Sequence, residues 1–265
     1  MIADARKAKP IALPPRWPWL IRGFKRYCRR YVRNHFNAVR LSRSSCSIPD
    51  DGPLLVVLNH PSWWDPLIGT VLSELFACRD HFAAIDAVSV ERYSFFKRLG
   101  FVGVHGAAQF LRMGETILAE PNRAFWVTAQ GRFTDVRERP LNLRAGVGHL
   151  AARLDRGCVL PLALEYVFWN ERAPEALVRI GEPLAIAEHP GFDGKQWTKV
   201  IEEALTTTLD GLNEEAMSRD PDRFTNLLDG RSGVGGIYDC WRRFKSWLRG
   251  SRFDASHAAA MRGRP

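Results

Sequence analysis

With 265 residues, 46% apolar and 25% charged, the chain suits one large α/β domain with terminal additions and is too ordinary in composition to be disordered throughout. Its formal net charge of +9 is uneven: residues 1–45 carry twelve Lys/Arg against one acidic residue, 231–265 carry eight against two, and 46–230 is acidic on balance. The five cysteines are scattered with no C-x-x-C, which indicates neither a disulfide framework nor a zinc site and fits reduced thiols in the cytoplasm.

The basic lead through residue 16 is followed by no continuous apolar run, so neither a signal peptide nor a transmembrane span is expected. Trp19, Leu20, Phe24, Tyr27, Cys28, Tyr31, Val32, Phe36 and Val39 then recur with helical spacing. Arg22, Lys25, Arg26, Arg29, Arg30 and Arg33 take the other face. Aromatics opposite arginines predict an interfacial helix on a membrane lipid surface; the alternative is a helix docked on the core with a solvated basic face.

The turn residues Pro49-Asp50-Asp51-Gly52-Pro53 lead into Leu54-Leu55-Val56-Val57-Leu58, an apolar run of strand length. A helix is expected from Ser62, as N-cap, through Leu75. Further strands are predicted at 81–85, 101–104, 124–128, 158–164 and 176–180, and helices at 95–99, 107–119, 146–154 and 197–215. Pro161 inside its strand argues for an edge position or a bulge. The alternation predicts a single α/β domain over 46–230, with a mostly parallel or mixed sheet flanked by helices. Basic amphipathic helices are expected at both ends, the second on Ile237, Trp241, Phe244 and Leu248 with Arg242, Arg243, Lys245 and Arg249 beside them.

The chemistry concentrates in Asn59-His60-Pro61-Ser62-Trp63-Trp64-Asp65. His60 and Asp65 follow a buried strand at the strand-to-helix turn, where α/β folds place reactive groups. His105 and His149 read as structural, and Gly146-Val147-Gly148 is too sparse for a dinucleotide loop.

Asn-His-x-x-x-x-Asp after an apolar strand resembles the first motif of the glycerolipid and lysophospholipid acyltransferase family, whose members include 1-acylglycerol-3-phosphate acyltransferases. Later blocks follow in order: Gly100-Phe101-Val102-Gly103-Val104, then Ala129-Gln130-Gly131-Arg132, then Val159-Leu160-Pro161-Leu162. The resemblance covers roughly residues 50–185. It implies that His60 is the general base for a lipid hydroxyl, that Asp65 orients it, and that acyl-CoA or acyl carrier protein supplies a thioester as co-substrate, with no bound cofactor or metal. Backbone N–H groups near the following helix start would hold the oxyanion. It also implies that Asn59, Gln130, Gly131, Arg132 and Arg144 bind substrate, with Arg137 and Arg139 as nearby alternatives for an anionic head group.

The third block departs from the family's Pro-Glu-Gly-Thr-Arg. Gln130 stands where a Glu is usual, and Arg132 follows Gly131 directly. The acceptor is therefore open between a lysophospholipid and another lipid hydroxyl such as a lyso-aminolipid. The expected place of action is the cytoplasmic face of a membrane, peripherally, with no nucleic acid as partner. Three other readings compete: Ser62 as nucleophile, hydrolysis by the same His/Asp pair, and a non-catalytic protein whose basic ends bind membrane or nucleic acid.

Overall fold

The computed structural model describes residues 11–76 and 79–231. Helix α1 (Pro18–His35) precedes β1 (Ala38–Ser42) and β2 (Leu54–Leu58). After α2 (Asp65–Leu72), a 3-10 turn (Ser73–Phe76) leads to β3 (Asp80–Asp86), α3 (Ala87–Arg92), α4 (Phe96–Leu99) and β4 (Phe101–Val104). Next come α5 (Ala107–Leu118), β5 (Arg123–Thr128), α6 (Gly146–Ala151), β6 (Cys158–Val167), β7 (Glu175–Ile180), β8 (Leu184–Ala185), α7 (Gly194–Ser218) and β9 (Phe224–Asp229).

The nine strands form one mixed sheet in the order β4-β3-β5-β2-β6-β7-β1-β9, with β8 beside β6. The five strands from β4 to β6 run parallel, so their carboxyl ends share one edge. Alternate residues feed two cores, as period-two geometry requires. Leu55, Val57, Phe125 and Val159 meet α5, α6 and α7 on one face. Leu54, Val56, Trp126 and Leu160 face α1 and α2 on the other.

Three sequence expectations change. Pro161 lies inside the sheet, not at an edge. Cys158 and Val159 pair with β8 and Leu162 onward with β7, so the missing N–H falls at the seam between two partners. The Pro161 carbonyl still accepts from Gly181 N–H at 2.9 Å. Helix α1 stops at His35, and Val39 belongs to β1, between β7 and β9. The sheet thus begins inside the segment that charge sets apart. Ser62 is not the cap of α2: the helix starts at Asp65, and the Ser62 hydroxyl accepts from Trp64 N–H at 3.3 Å within the turn.

Helix α1 packs on α2 and α4 through Phe24, Cys28 and Val32, with Phe24 edge-on to Phe101. Trp17, Trp19 and Tyr27 stay exposed, as do Arg22, Arg26, Arg30 and Arg33. Among the described residues, no helix is long and apolar enough to cross a membrane. The expected second amphipathic helix at 237–249 lies outside the described residues.

Candidate active site

The site forms where β2 and β5 end. Leu58 pairs with Thr128, and the chain leaves the sheet at Asn59-His60 on one side and Ala129-Gln130-Gly131 on the other. Five residues separate His60 from Asp65, and the tight turn brings their side chains together. His60 Nδ1 lies 2.5 Å from Asp65 Oδ2. A carboxylate only accepts, so the proton sits on Nδ1 and the lone pair on Nε2.

Asp65 is 3% exposed, and a buried carboxylate needs full solvation by the protein. The Tyr166 hydroxyl donates to its other oxygen at 2.7 Å, and Ser62 N–H approaches Oδ2 at 3.4 Å. Burial and the Asp65 charge push the Tyr166 hydroxyl well above its ordinary value, so it stays protonated and donating. Tyr166 is invisible as a site residue in the sequence. Strand alternation puts it on the same face as Leu162 and Leu164, but nothing local says that a carboxylate 101 positions away is its partner.

Two further polar side chains fix the backbone around His60. Asn59 continues the β2–β6 ladder where β2 ends: its amide donates to Leu164 carbonyl and accepts from Leu164 N–H, both at 2.8 Å. Gln130 accepts from His60 N–H at 3.1 Å and donates to Leu141 carbonyl at 3.2 Å. One atom of that side chain must accept and the other donate. A neutral amide does both, whereas an ionised Glu cannot donate. Neither residue lines the groove described next.

His60, Asp65, Gly131, Arg132 and Arg144 all border one groove, with a volume of 2020 Å³, that runs between α1, α2 and the sheet. Leu58, Trp126, Phe24, Ile21 and Leu67 give it apolar walls. Phe133 is 59% exposed and lies 4.4 Å, centroid to centroid, from the His60 ring. It is the second site residue that the motif reading missed. Trp63 is 55% exposed at the rim and stacks on Trp64, which is wedged edge-on against Phe36.

The chain is similar in structure to a crystal structure of the 1-acyl-sn-glycerophosphate (LPA) acyltransferase, PlsC, from Thermotoga maritima, at 16% sequence identity and a TM-score of 0.50, over 74% of this chain and 80% of that one. The two share a fold. No protein-family model and no curated protein matches the chain.

The arginines divide by partner. Arg132 pairs with Glu138, Arg137 with Asp135 at 2.7 Å, and Arg139 with Asp210; the last two arginines do not border the groove. Arg137 holds the exposed Asp135 carboxyl far below the usual range. Among the described residues, the Arg144 guanidinium bonds only a carbonyl, that of Gly131 at 3.2 Å. It lies over Gly131, which has a φ of +63°, and a Cβ there would meet Arg144 Nε at 2.3 Å. His105 pairs with Glu91 at 3.2 Å, and His149 packs against Gly194 at the start of α7.

The N–H groups expected to hold an oxyanion at the start of α2 are largely used within the turn. Trp64 N–H goes to Ser62 Oγ, Asp65 N–H to Ser62 carbonyl at 3.2 Å, and Ser62 N–H faces Asp65. Glu165, between Leu164 and Tyr166, is half-buried on the opposite face of the sheet from Asp65. Burial pushes its carboxyl up to about 7, against the pull of Arg137, and among the described residues Oε2 has no hydrogen-bond partner. Among the described residues, no three His, Cys, Asp or Glu side chains are grouped to hold a metal ion.

Proposed function

We propose that the protein is an O-acyltransferase. It moves a fatty acyl group from an acyl thioester, on coenzyme A or acyl carrier protein, to a lipid hydroxyl at a membrane surface. One observation carries this reading: a buried, fully hydrogen-bonded Asp65 holds His60 with Nδ1 protonated at the border of a long apolar groove.

His60 Nε2 takes the proton of the acceptor hydroxyl as its oxygen attacks the thioester carbonyl. The tetrahedral intermediate then expels the thiolate, which takes the proton back from the imidazolium. General-base assistance of this kind contributes about 10²–10⁴ in rate. Asp65 keeps the ring oriented and balances its positive charge in the transition state. The Ser62 hydroxyl is engaged by Trp64 N–H and not by His60, which disfavours it as a nucleophile.

Arg144 is the favoured contact for an anionic head group, because Arg132 already has Glu138. A glycerophosphate acceptor like that named for the Thermotoga maritima protein fits one guanidinium, and so does a lyso-aminolipid with a carboxylate. Membrane action is supported by exposed Trp17, Trp19, Tyr27 and Trp63 beside Arg22, Arg26 and Arg30 on α1. We place the protein peripherally, on the cytoplasmic leaflet.

The test uses the full chain with vesicles of anionic phospholipid containing lysophosphatidate or a lyso-aminolipid, and palmitoyl-CoA or palmitoyl-acyl carrier protein as donor. Thiol release that depends on the acceptor, with acylated lipid as product, is expected. Thiol release without acceptor would replace transfer with hydrolysis; no release from either donor would remove the enzyme reading.

A further inference from the structure

The His60–Asp65 turn holds a base but does not by itself choose the hydroxyl that the base meets. An imidazole that takes a proton from a lipid alcohol can take one from water, which is smaller and far more concentrated. With water, its oxygen would attack the thioester carbonyl, His60 would take the proton and return it to the departing thiolate, and a free fatty acid would form. Transfer therefore needs a feature beside His60 that favours an amphiphilic alcohol.

The segment after β5 supplies one, because it closes on His60 in three ways. Gln130 accepts from His60 N–H at 3.1 Å, and Thr134 N–H donates to the His60 carbonyl at 3.0 Å. Between these two anchors, Phe133 sets its ring 4.4 Å from the imidazole, centroid to centroid, at a tilt of 42°. That is contact distance for two rings. The turn leading to it is closed by Gly131 N–H on the Thr128 carbonyl at 3.1 Å and passes through Gly131 in the left-handed region. On the other side Thr134 is buried, and its hydroxyl donates to the Arg132 carbonyl at 3.2 Å. The place of the Phe133 ring is thus set by the backbone and not by burial of the ring.

The two rings differ in exposure. The His60 side chain keeps 19% of its surface open, and Phe133 keeps 59%. Phe133 therefore gives little to the core, and the apolar surface that it leaves open borders the same groove as His60 and Leu58. An alcohol carried on an apolar body gains by covering that surface, in proportion to the area it removes from water; water itself gains nothing. Trp63 also borders the groove, but its ring stacks on Trp64, so that Phe133 is the aromatic ring against the imidazole among the described residues.

We propose that Phe133 is a specificity-determining residue that commits the acyl group to a lipid alcohol and not to water. Its ring covers the imidazole and gives the apolar part of the acceptor, next to the reacting hydroxyl, a surface to lie on. This rests on the acyl-transfer reading, which supplies the thioester. Without the ring, His60 opens to solvent, the acceptor loses its contact, and the same base serves water.

The partition between products tests this, since a ratio does not depend on how much of a variant is active. The full chain is given palmitoyl-CoA and vesicles of anionic phospholipid containing lysophosphatidate or a lyso-aminolipid, and both free palmitate and acylated lipid are measured. In Phe133→Ala the ratio of palmitate to acylated lipid is expected to rise about tenfold, the worth of one ring contact. Phe133→Leu keeps an apolar body and should stay near the unaltered protein. Because the ring is largely exposed, both variants should melt with the unaltered protein. An unchanged ratio in Phe133→Ala would overturn the assignment. A second measurement needs no turnover: diethyl pyrocarbonate should modify His60 several-fold faster in Phe133→Ala, as followed by peptide mass spectrometry, and equal rates would overturn the cover. Neither product from any of the three proteins, with faster modification of His60 in Phe133→Ala, would remove the acyl-transfer reading, and the selection of a lipid acceptor with it, while leaving the cover over His60 standing.

Discussion

On its buried side the His60–Asp65 turn has almost no spare hydrogen-bonding capacity, whereas its solvent side is held by few contacts. Asp65 uses both oxygens, Asn59 both amide atoms and Gln130 both amide atoms. Across the groove, Trp63, Phe133 and Arg144 are exposed, and Arg144 rests on one carbonyl. The difference separates two jobs. The position of His60 is fixed by the core, while under the proposed function recognition of the acceptor would fall to side chains that can change without disturbing that core.

That separation predicts a graded series. Asp65→Asn should be the most damaging change on the buried side. It keeps the shape but supplies a donor where two donors point, and a wrongly oriented imidazole costs about 10³–10⁴ in kcat; steady-state kinetics with KM near its starting value checks this. Tyr166→Phe removes one charge-assisted bond from a buried carboxylate, worth about 1.5–3 kcal/mol. It should lower the urea midpoint and cut kcat by about tenfold with little effect on KM. Arg144→Ala should do the reverse, raising KM for an anionic acceptor by about tenfold and sparing kcat and Tm. If Arg144→Ala instead lowers kcat alone, the division between the two sides is wrong.

The smallest effect concerns Glu165. Its carboxyl is raised from the ordinary 4.5 to about 7, so the folded state holds the proton more tightly than the unfolded chain. This contribution to stability is complete below about 4.5 and is lost as pH rises through about 7. Glu165→Gln stays neutral and should raise Tm above pH 7 by about 2–4 °C, the shift that ~1 kcal/mol gives in a domain of this size. Below the ordinary carboxylate range the two proteins should melt together.

The sheet was legible where periodicity is strong. The runs at 54–58, 101–104, 124–128 and 158–164 are strands, and Gly100, at φ +101°, ends α4 as expected. Strands β1 and β9 were hidden because their pattern is set by pairing with each other and not by local alternation. Pro161 misled because its tolerance depends on the β8-to-β7 seam, which exists only in three dimensions. The His60–Asp65 pair was legible because both residues lie in one turn. Tyr166 and Phe133 were not, since each reaches the site from another element. The departure at Gln130 was visible, but its reason, one amide bridging His60 N–H and Leu141 carbonyl, needed coordinates.

Whether His60 activates the acceptor hydroxyl is decided by acceptor-dependent thiol release from palmitoyl-CoA by the unaltered protein and by His60→Ala, at saturating lipid and with folding checked by circular dichroism. A folded His60→Ala protein that has lost about 10²–10⁴ in kcat is the predicted result. Transfer by that variant at the unaltered rate would show that His60 is not the base.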